Sequence, residues 1–361
     1  MSRRPGIIAA AGALAGVGVG VVAQRVAVKR RRQNDPEAGE DFGSRRGTRE
    51  QTIELPDGAR IFIEEVGPGS PRGVVFIHGS ALRTDLWHYQ LPGIGSYRSI
   101  FYDLRGHGLS QPKGSSQFSI STLSEDLLAV LEATGLVECV IVGHSIGGMI
   151  ALELCSTRND LLGSTIKGVV LLNTTYRPGV ETLAGGAAIS RIERLTRRPF
   201  DALGSQHARL DRLRRVLRPT DSVFLGVSFA AFGPNASAKQ IDFVYDMLAE
   251  TPTDVLFDLI KSYRDFDVTD LLQDITVPAL VIGGTHDRIT VSGASRYLAS
   301  HLPKAELRML EGAGHQSMLE RHEEFNELLE KFLDDVLAPE PPSGPRRARR
   351  KKGDKADGPK G

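Results

Sequence analysis

The sequence predicts an α/β fold, with a mostly parallel central sheet, helices on both faces and an inserted helical cap. Three observations predict it. Short, continuously apolar runs, such as Gly73–Ile77 and Lys167–Asn173, have the character of strands buried on both faces. Helix-periodic segments separate such runs, and strands that alternate with helices favour parallel pairing. A long amphipathic interval, from Tyr176 to about Asp270, breaks the alternation before strands resume at Pro278–Gly283.

Taken in order, T-I-E-L and R-I-F-I-E-E-V flank Pro56-Asp57-Gly58 within residues 51–66 and read as an edge hairpin. Gly73–Ile77 ends at His78-Gly79-Ser80. Ala81–Gln90 holds the single tryptophan, Trp87, and reads as a loop with a short helix. Tyr97–Tyr102 is the next buried strand and runs into D-L-R-G-H-G at Asp103–Gly108. Thr122-x-x-Glu125 forms a capping box for a helix to Thr134, whose Leu123, Leu127, Leu128, Val130 and Leu131 suit one buried face. After the interval, a helix near Ser292–Ser300 and a strand at Glu306–Leu310 complete the pattern.

The interval is read as a cap over the carboxyl edge of the sheet. Its first half, Arg177–Arg218, holds ten arginines. Its second half supplies Phe224, Phe229, Phe232, Phe243, Met247 and Tyr263, of which a few would line an acyl-binding cavity and most would be core.

The densest chemical signal lies at Val137–Leu152. Strand-forming Cys139–Val142 meets Gly143-His144-Ser145-Ile146-Gly147, and an apolar helix-former follows at once. A serine hydroxyl is a weak nucleophile unless it is presented to a base, and a strand–turn–helix elbow presents it. Gly143 and Gly147 remove the Cβ atoms that would prevent the turn, and the Ile146 N–H opens the helix, where an unpaired amide faces developing negative charge. A chain with 39 glycines produces G-x-S-x-G by chance. The strand before it and the helix after it are what the chance pattern lacks.

A nucleophile of this kind needs a base and a group that orients the base. Asp287 follows the strand Pro278–Gly283, and His315 in G-A-G-H-Q follows the last strand, so both sit in loops at the edge where ligands bind in an open α/β sheet. With the elbow, His78-Gly79, D-L-R-G-H-G and the late Gly-flanked histidine in the order Ser145, Asp287, His315, residues 51–336 resemble the α/β-hydrolase superfamily, most closely its capped esterase, lipase and cofactor-free perhydrolase branch. The resemblance implies that Ser145 attacks a carbonyl, His315 moves its proton and Asp287 holds the histidine. The backbone amides of Ser80 and Ile146 would form the oxyanion hole, and His78, Gly79, Asp103, Arg105, Gly143 and Gly147 would support the site. His107 and His286 are expected to be structural, and His144 to face away from the base. Asn173 stands where some superfamily members carry their acid, and without a carboxylate it cannot replace Asp287. No aspartate occupies the elbow, which disfavours ester formation on a protein carboxylate. The expected activity is cleavage of a carboxylic ester, of a small molecule or a lipid, with no cofactor and no metal. Perhydrolysis or C–C hydrolysis on the same triad is the alternative, and a non-catalytic binding protein is the alternative of another class.

Composition bounds the rest. A chain of 361 residues with 45 Lys and Arg against 44 Asp and Glu has a net charge of +1, which disfavours a general nucleic-acid binder. Its two cysteines, Cys139 and Cys155, provide no disulfide framework or metal cluster and read as buried thiols. Gly6–Ala23 is 18 residues without a charge, with Gly12, Gly16 and Gly20 at the spacing that lets membrane helices approach. We read residues 1–35 as a membrane anchor with a basic flank outside the globular fold. Arg25, Lys29 and Arg30–Arg32 place the catalytic domain on the cytoplasmic side. A cleaved secretory leader and a disordered Gly/Ala leader are the alternatives. Residues 36–50 are then a linker, 51–337 the domain with its cap at about 176–270, and 338–361 a disordered basic tail.

Overall fold

The computed structural model describes residues 24–112, 118–177, 220–263 and 266–337. Among these, eight strands form one sheet in the order β1-β2-β4-β3-β5-β6-β7-β8. They are β1 Arg49–Glu54, β2 Arg60–Val66, β3 Arg72–Ile77, β4 Arg98–Tyr102, β5 Glu138–His144, β6 Ile166–Leu172, β7 Ala279–Gly284 and β8 Ala305–Leu310. The hairpin β1–β2 and the β2–β4 pair are antiparallel, whereas every pair from β4 to β8 is parallel. This is the α/β-hydrolase architecture that the motifs implied.

The pleat divides the core. On β5, Cys139 and Ile141 join one apolar cluster, and Val140 and Val142 join the other. Helices α2 (Ile120–Thr134), α3 (Ile146–Thr157) and α7 (Ser292–His301) cover the first face through Leu127, Ile150 and Leu298. The second face is closed by α9 (His322–Leu337) through Phe325, Leu329 and Leu333, together with Trp87. Cys139 and Cys155 are free and buried, and burial pushes both thiols up to about 12.

Some expectations change in detail. Helix α2 is capped by Ser119, whose side chain accepts the Thr122 N–H at 3.0 Å, so the cap lies three residues before the threonine of the expected box. Helix α9 was not anticipated, although Phe325, Leu329, Phe332 and Leu333 recur at helical spacing. Of the cap, α4 (Asp221–Ala231), α5 (Ala238–Glu250) and α6 (Thr253–Tyr263) are described; the arginine-rich stretch falls almost entirely on 178–219, outside the described residues. Phe224, Phe232, Phe243 and Met247 are buried core, while Phe229 is 68% exposed.

The division at residue 35 is corrected. Residues 24–33 form helix α1, which docks on the cap: Val28 is buried, and Arg31 donates to Ser228 Oγ and to the Ala236 carbonyl, each at 2.8 Å. Arg32 grips Asp242 with two bonds, and Asp35 accepts the Lys239 N–H at the start of α5. Arg31 and Arg32 thus find their acceptors on the cap and hold the flank against it. The expected linker is equally engaged, through Glu40 with His88 at 2.7 Å and through Phe42 stacked on Phe243 at 5.0 Å. The expected span at 6–23 and the tail at 338–361 lie outside the described residues; among the described residues no helix is long and apolar enough to cross a membrane.

The packing of α3 against the sheet depends on an absent side chain. A Cβ on Gly147 would lie 2.3 Å from the Ile77 carbonyl oxygen. Gly147→Ala should therefore lower stability by about 1–3 kcal/mol, the usual cost of overpacking. Denaturant unfolding checks it, and an unchanged midpoint would show that helix and strand can separate freely.

Candidate active site

The elbow forms because β5 ends against β3 and α3 begins without an intervening loop. Ser145 is held at φ 55° and ψ −118°, a conformation that L side chains rarely adopt, while its N–H donates to the Leu172 carbonyl at 3.0 Å. Thr174 Oγ1 donates to the Ser145 carbonyl at 2.5 Å. A Cβ on Gly143 would stand 2.4 Å from the Gly147 carbonyl oxygen. Close approach, rather than unusual φ, is what these glycines permit. Ser145 itself is half-buried, at the carboxyl end of the strand.

Asp287 and His315 meet across the ends of β7 and β8. Nδ1 of His315 donates to Asp287 Oδ2 at 2.9 Å, and both residues are buried. Asp287 also accepts from the N–H groups of Ile289 and Thr290, from Thr290 Oγ1 and from Asn173 Nδ2. Burial alone would raise its carboxyl, but the His315 ring and these donors together hold it below the ordinary carboxylate range.

The histidine loop is braced from the elbow. His144 Nε2 donates to the His315 carbonyl at 3.0 Å, with the two rings 4.8 Å apart. The expectation that His144 faces away from the base is therefore wrong: its ring turns across the sheet edge and supports the loop that carries His315. Burial and the neighbouring His315 push it well below its ordinary value, so it is a neutral donor.

Ser80 and Ile146 occupy equivalent places. Ile77 pairs with Gly143 in the β3–β5 register, and each chain turns out of the sheet within the next three residues. Neither amide donates to an acceptor among the described residues. Beside them the His78 ring accepts the Leu104 N–H at Nε2 and donates from Nδ1 to the Gly79 carbonyl, and Gly79 leaves room for His144. His107 accepts the Ala81 N–H, which belongs to another residue in positive φ. Asp103 accepts from the Thr84 and Leu109 amides, and burial pushes it up to about 7. Arg105 makes two bonds to buried Asp126 and one to Asp57, pinning the D-L-R-G-H-G turn to α2 and the first hairpin.

This geometry has relatives. A family model described as the alpha/beta hydrolase fold matches residues 73–322. The chain belongs to that family. This α/β hydrolase is 28% identical to a non-heme chloroperoxidase of Kitasatospora aureofaciens over 77% of its own length and 97% of the relative's. It is 26% identical to a pimeloyl-[acyl-carrier protein] methyl ester esterase of Aeromonas hydrophila, covering 76% and 99% of the two chains. An esterase structure from Exiguobacterium antarcticum superposes with a TM-score of 0.63 at 21% identity, over 79% of the hydrolase and all of the esterase.

Several supports escaped the sequence. Asn173, in positive φ at 46°, donates to Asp287 and to the Gly314 carbonyl and accepts from Ser317. It holds the Asp287 carboxylate, which it cannot replace. Thr290 was silent for lack of any motif. Tyr263, from the cap, reaches the Ser80 side chain, and burial raises its phenol to about 12. Among the described residues no group of three or more His, Cys, Asp or Glu could hold a metal ion. A cavity of about 500 Å³ lies to one side, lined by Leu82, Thr84, Asp103, Met247 and Val255 and by none of Ser145, Asp287 and His315.

The depressed Asp287 carboxyl gives a test with a definite sign. Its contribution to stability is complete above the unfolded value near pH 4 and is lost as the pH falls through the lower folded value. Asp287→Asn should be less stable than wild type at pH 7 and should lose less on acidification to pH 3. Urea titrations at both pH values measure this; parallel losses would assign the acid sensitivity elsewhere.

Proposed function

We propose that this chain is a serine hydrolase that cleaves a carboxylic ester, lipophilic in character, through an acyl-enzyme intermediate. The observation that carries the reading is the buried His315–Asp287 hydrogen bond of 2.9 Å, braced by His144 from the strained elbow of Ser145. In this mechanism Ser145 Oγ attacks the ester carbonyl and passes its proton to His315 Nε2, the ring nitrogen not bonded to Asp287. The carbonyl oxygen, now an oxyanion, takes hydrogen bonds from the Ser80 and Ile146 amides, each donor worth roughly 3 to 4 kcal/mol. His315 returns the proton to the departing alcohol. Water, deprotonated by the same ring, then releases the acid and restores the serine.

The names of the relatives support ester chemistry and add a second reading. A methyl ester esterase shares most of the chain's length, and so does a non-heme chloroperoxidase. The latter favours testing hydrogen peroxide as the nucleophile in place of water at the acyl-enzyme. Residues 6–23 would hold the domain at a membrane; the support for this is their charge-free composition.

Ser145→Ala should reduce hydrolysis of short and medium-chain esters by about a factor of 10,000 or more while leaving the thermal transition in place. A variant retaining a substantial part of the wild-type rate would remove the nucleophile assignment. His315→Ala should cause a loss of similar size, and a variant that keeps the wild-type rate would exclude it as the base. Fluorophosphonate labelling of wild type in separated membrane and soluble fractions tests the anchor together with the serine. A folded wild type that never labels would favour the binding-protein reading.

A further inference from the structure

Glu320 belongs to none of the groups assigned above, yet it occupies the seam between the cap and the histidine loop. It closes α8 (Ser317–Glu320), and its two carboxylate oxygens point to different parts of the chain. Oε1 accepts the Gly314 N–H at 2.8 Å, beside His315. Oε2 accepts the Gly233 N–H at 2.7 Å, just beyond the last turn of α4.

The seam is made of backbone. The N–H groups of His315 and Gln316 both donate to the Ala231 carbonyl, at 2.9 and 3.2 Å. A Cβ on Gly233 would lie 1.9 Å from the Gly312 oxygen, and one on Gly314 would lie 2.4 Å from the Phe232 carbonyl carbon. Hydrogen bonds set the spacing of these two close surfaces, together with the packing of Ala231, Phe232 and Ala313 in one apolar cluster. The Glu320 side chain bonds to both.

We infer that Glu320 is a positioning residue that seats His315 by tying the histidine loop to the cap through its two carboxylate oxygens. The catalytic consequence rests on the serine-hydrolase reading; the tie itself does not. Only the ionised carboxylate accepts two N–H groups without presenting a hydrogen to either. A proton or an amide in its place leaves one backbone donor without a full acceptor.

The surroundings make that charge state adjustable. Burial pushes the carboxyl up to about 7, against the two N–H donors, which favour the ion. Asp287, from the loop after β7, raises it further and Arg321 opposes. Arg31, from α1, faces the same carboxylate. Glu37 lies across a cavity of about 210 Å³ that Glu320 and Gln240 also line. Because the raised carboxyl belongs to the closed seam, uptake of a proton favours the buried carboxyl over an exposed one, and acid alone does not open the seam.

The test compares wild type with Glu320→Gln at pH 8, following hydrogen-exchange protection of residues 231–233 and 312–316 and the kinetics of fluorophosphonate labelling. Glu320→Gln should lose protection in both segments and label about tenfold more slowly, with the loss in the maximal labelling rate and not in the half-saturating probe concentration. Equal protection and equal labelling in the two proteins overturn the inference. If the variant does not fold, wild type decides alone, because unprotected Gly233 and Gly314 amides have the same result. A serine that never labels defeats the hydrolase reading only, since the exchange data still decide the tie.

Discussion

The contact on which the site depends is the approach of α3 to β3 beneath Ser145. Gly147 lies so close to the Ile77 carbonyl that only hydrogen fits at its Cα, and Gly143 makes the same allowance for Gly147. With both contacts closed, the backbone between them has one way to turn, and Ser145 takes the positive φ that the turn demands. The strain is held by neighbours rather than relieved: Leu172 accepts the serine's N–H, and Thr174 donates to its carbonyl. Register does the rest. Since Ile77 pairs with Gly143, β3 and β5 leave the sheet at nearly one height.

The elements that were legible in the sequence are those whose signal is local. Buried parallel strands are continuous apolar runs, and β3, β5, β6 and β7 stood out for that reason. The elbow carries its own context, and the acid and base follow strands in a fixed order. Residues that act over long separations left no local mark. Asn173 meets Asp287 across 114 positions, and His144 reaches the His315 carbonyl across 171. An isolated asparagine or a histidine within a motif looks the same whether it braces a neighbour or fills space.

The cap and the N-terminal segment were harder for a different reason. Helix α1 carries Val28 for a core and five basic residues for a surface, and α5 and α6 are apolar on one side and polar on the other, so composition could not say what they pack against. In the structure the basic residues of α1 find acceptors on α4, α5 and the turn between them. A run of arginines after a charge-free segment has the same sequence whether it lines a lipid surface or a protein groove. Here Arg31 and Arg32 are spent on the protein, while Arg25, Lys29 and Arg30 stay exposed.

The backbone pairing of Ala231 with His315 bears on how a ligand reaches the serine. The cap is not a lid resting on the sheet at this point, because the carbonyl that closes α4 also holds the amide of His315. Were the cap to swing away along this side, the imidazole would lose its footing in the same movement. Opening by that route and a seated imidazole are mutually exclusive states, so traffic that leaves the His315–Asp287 pair intact has to pass elsewhere along the rim.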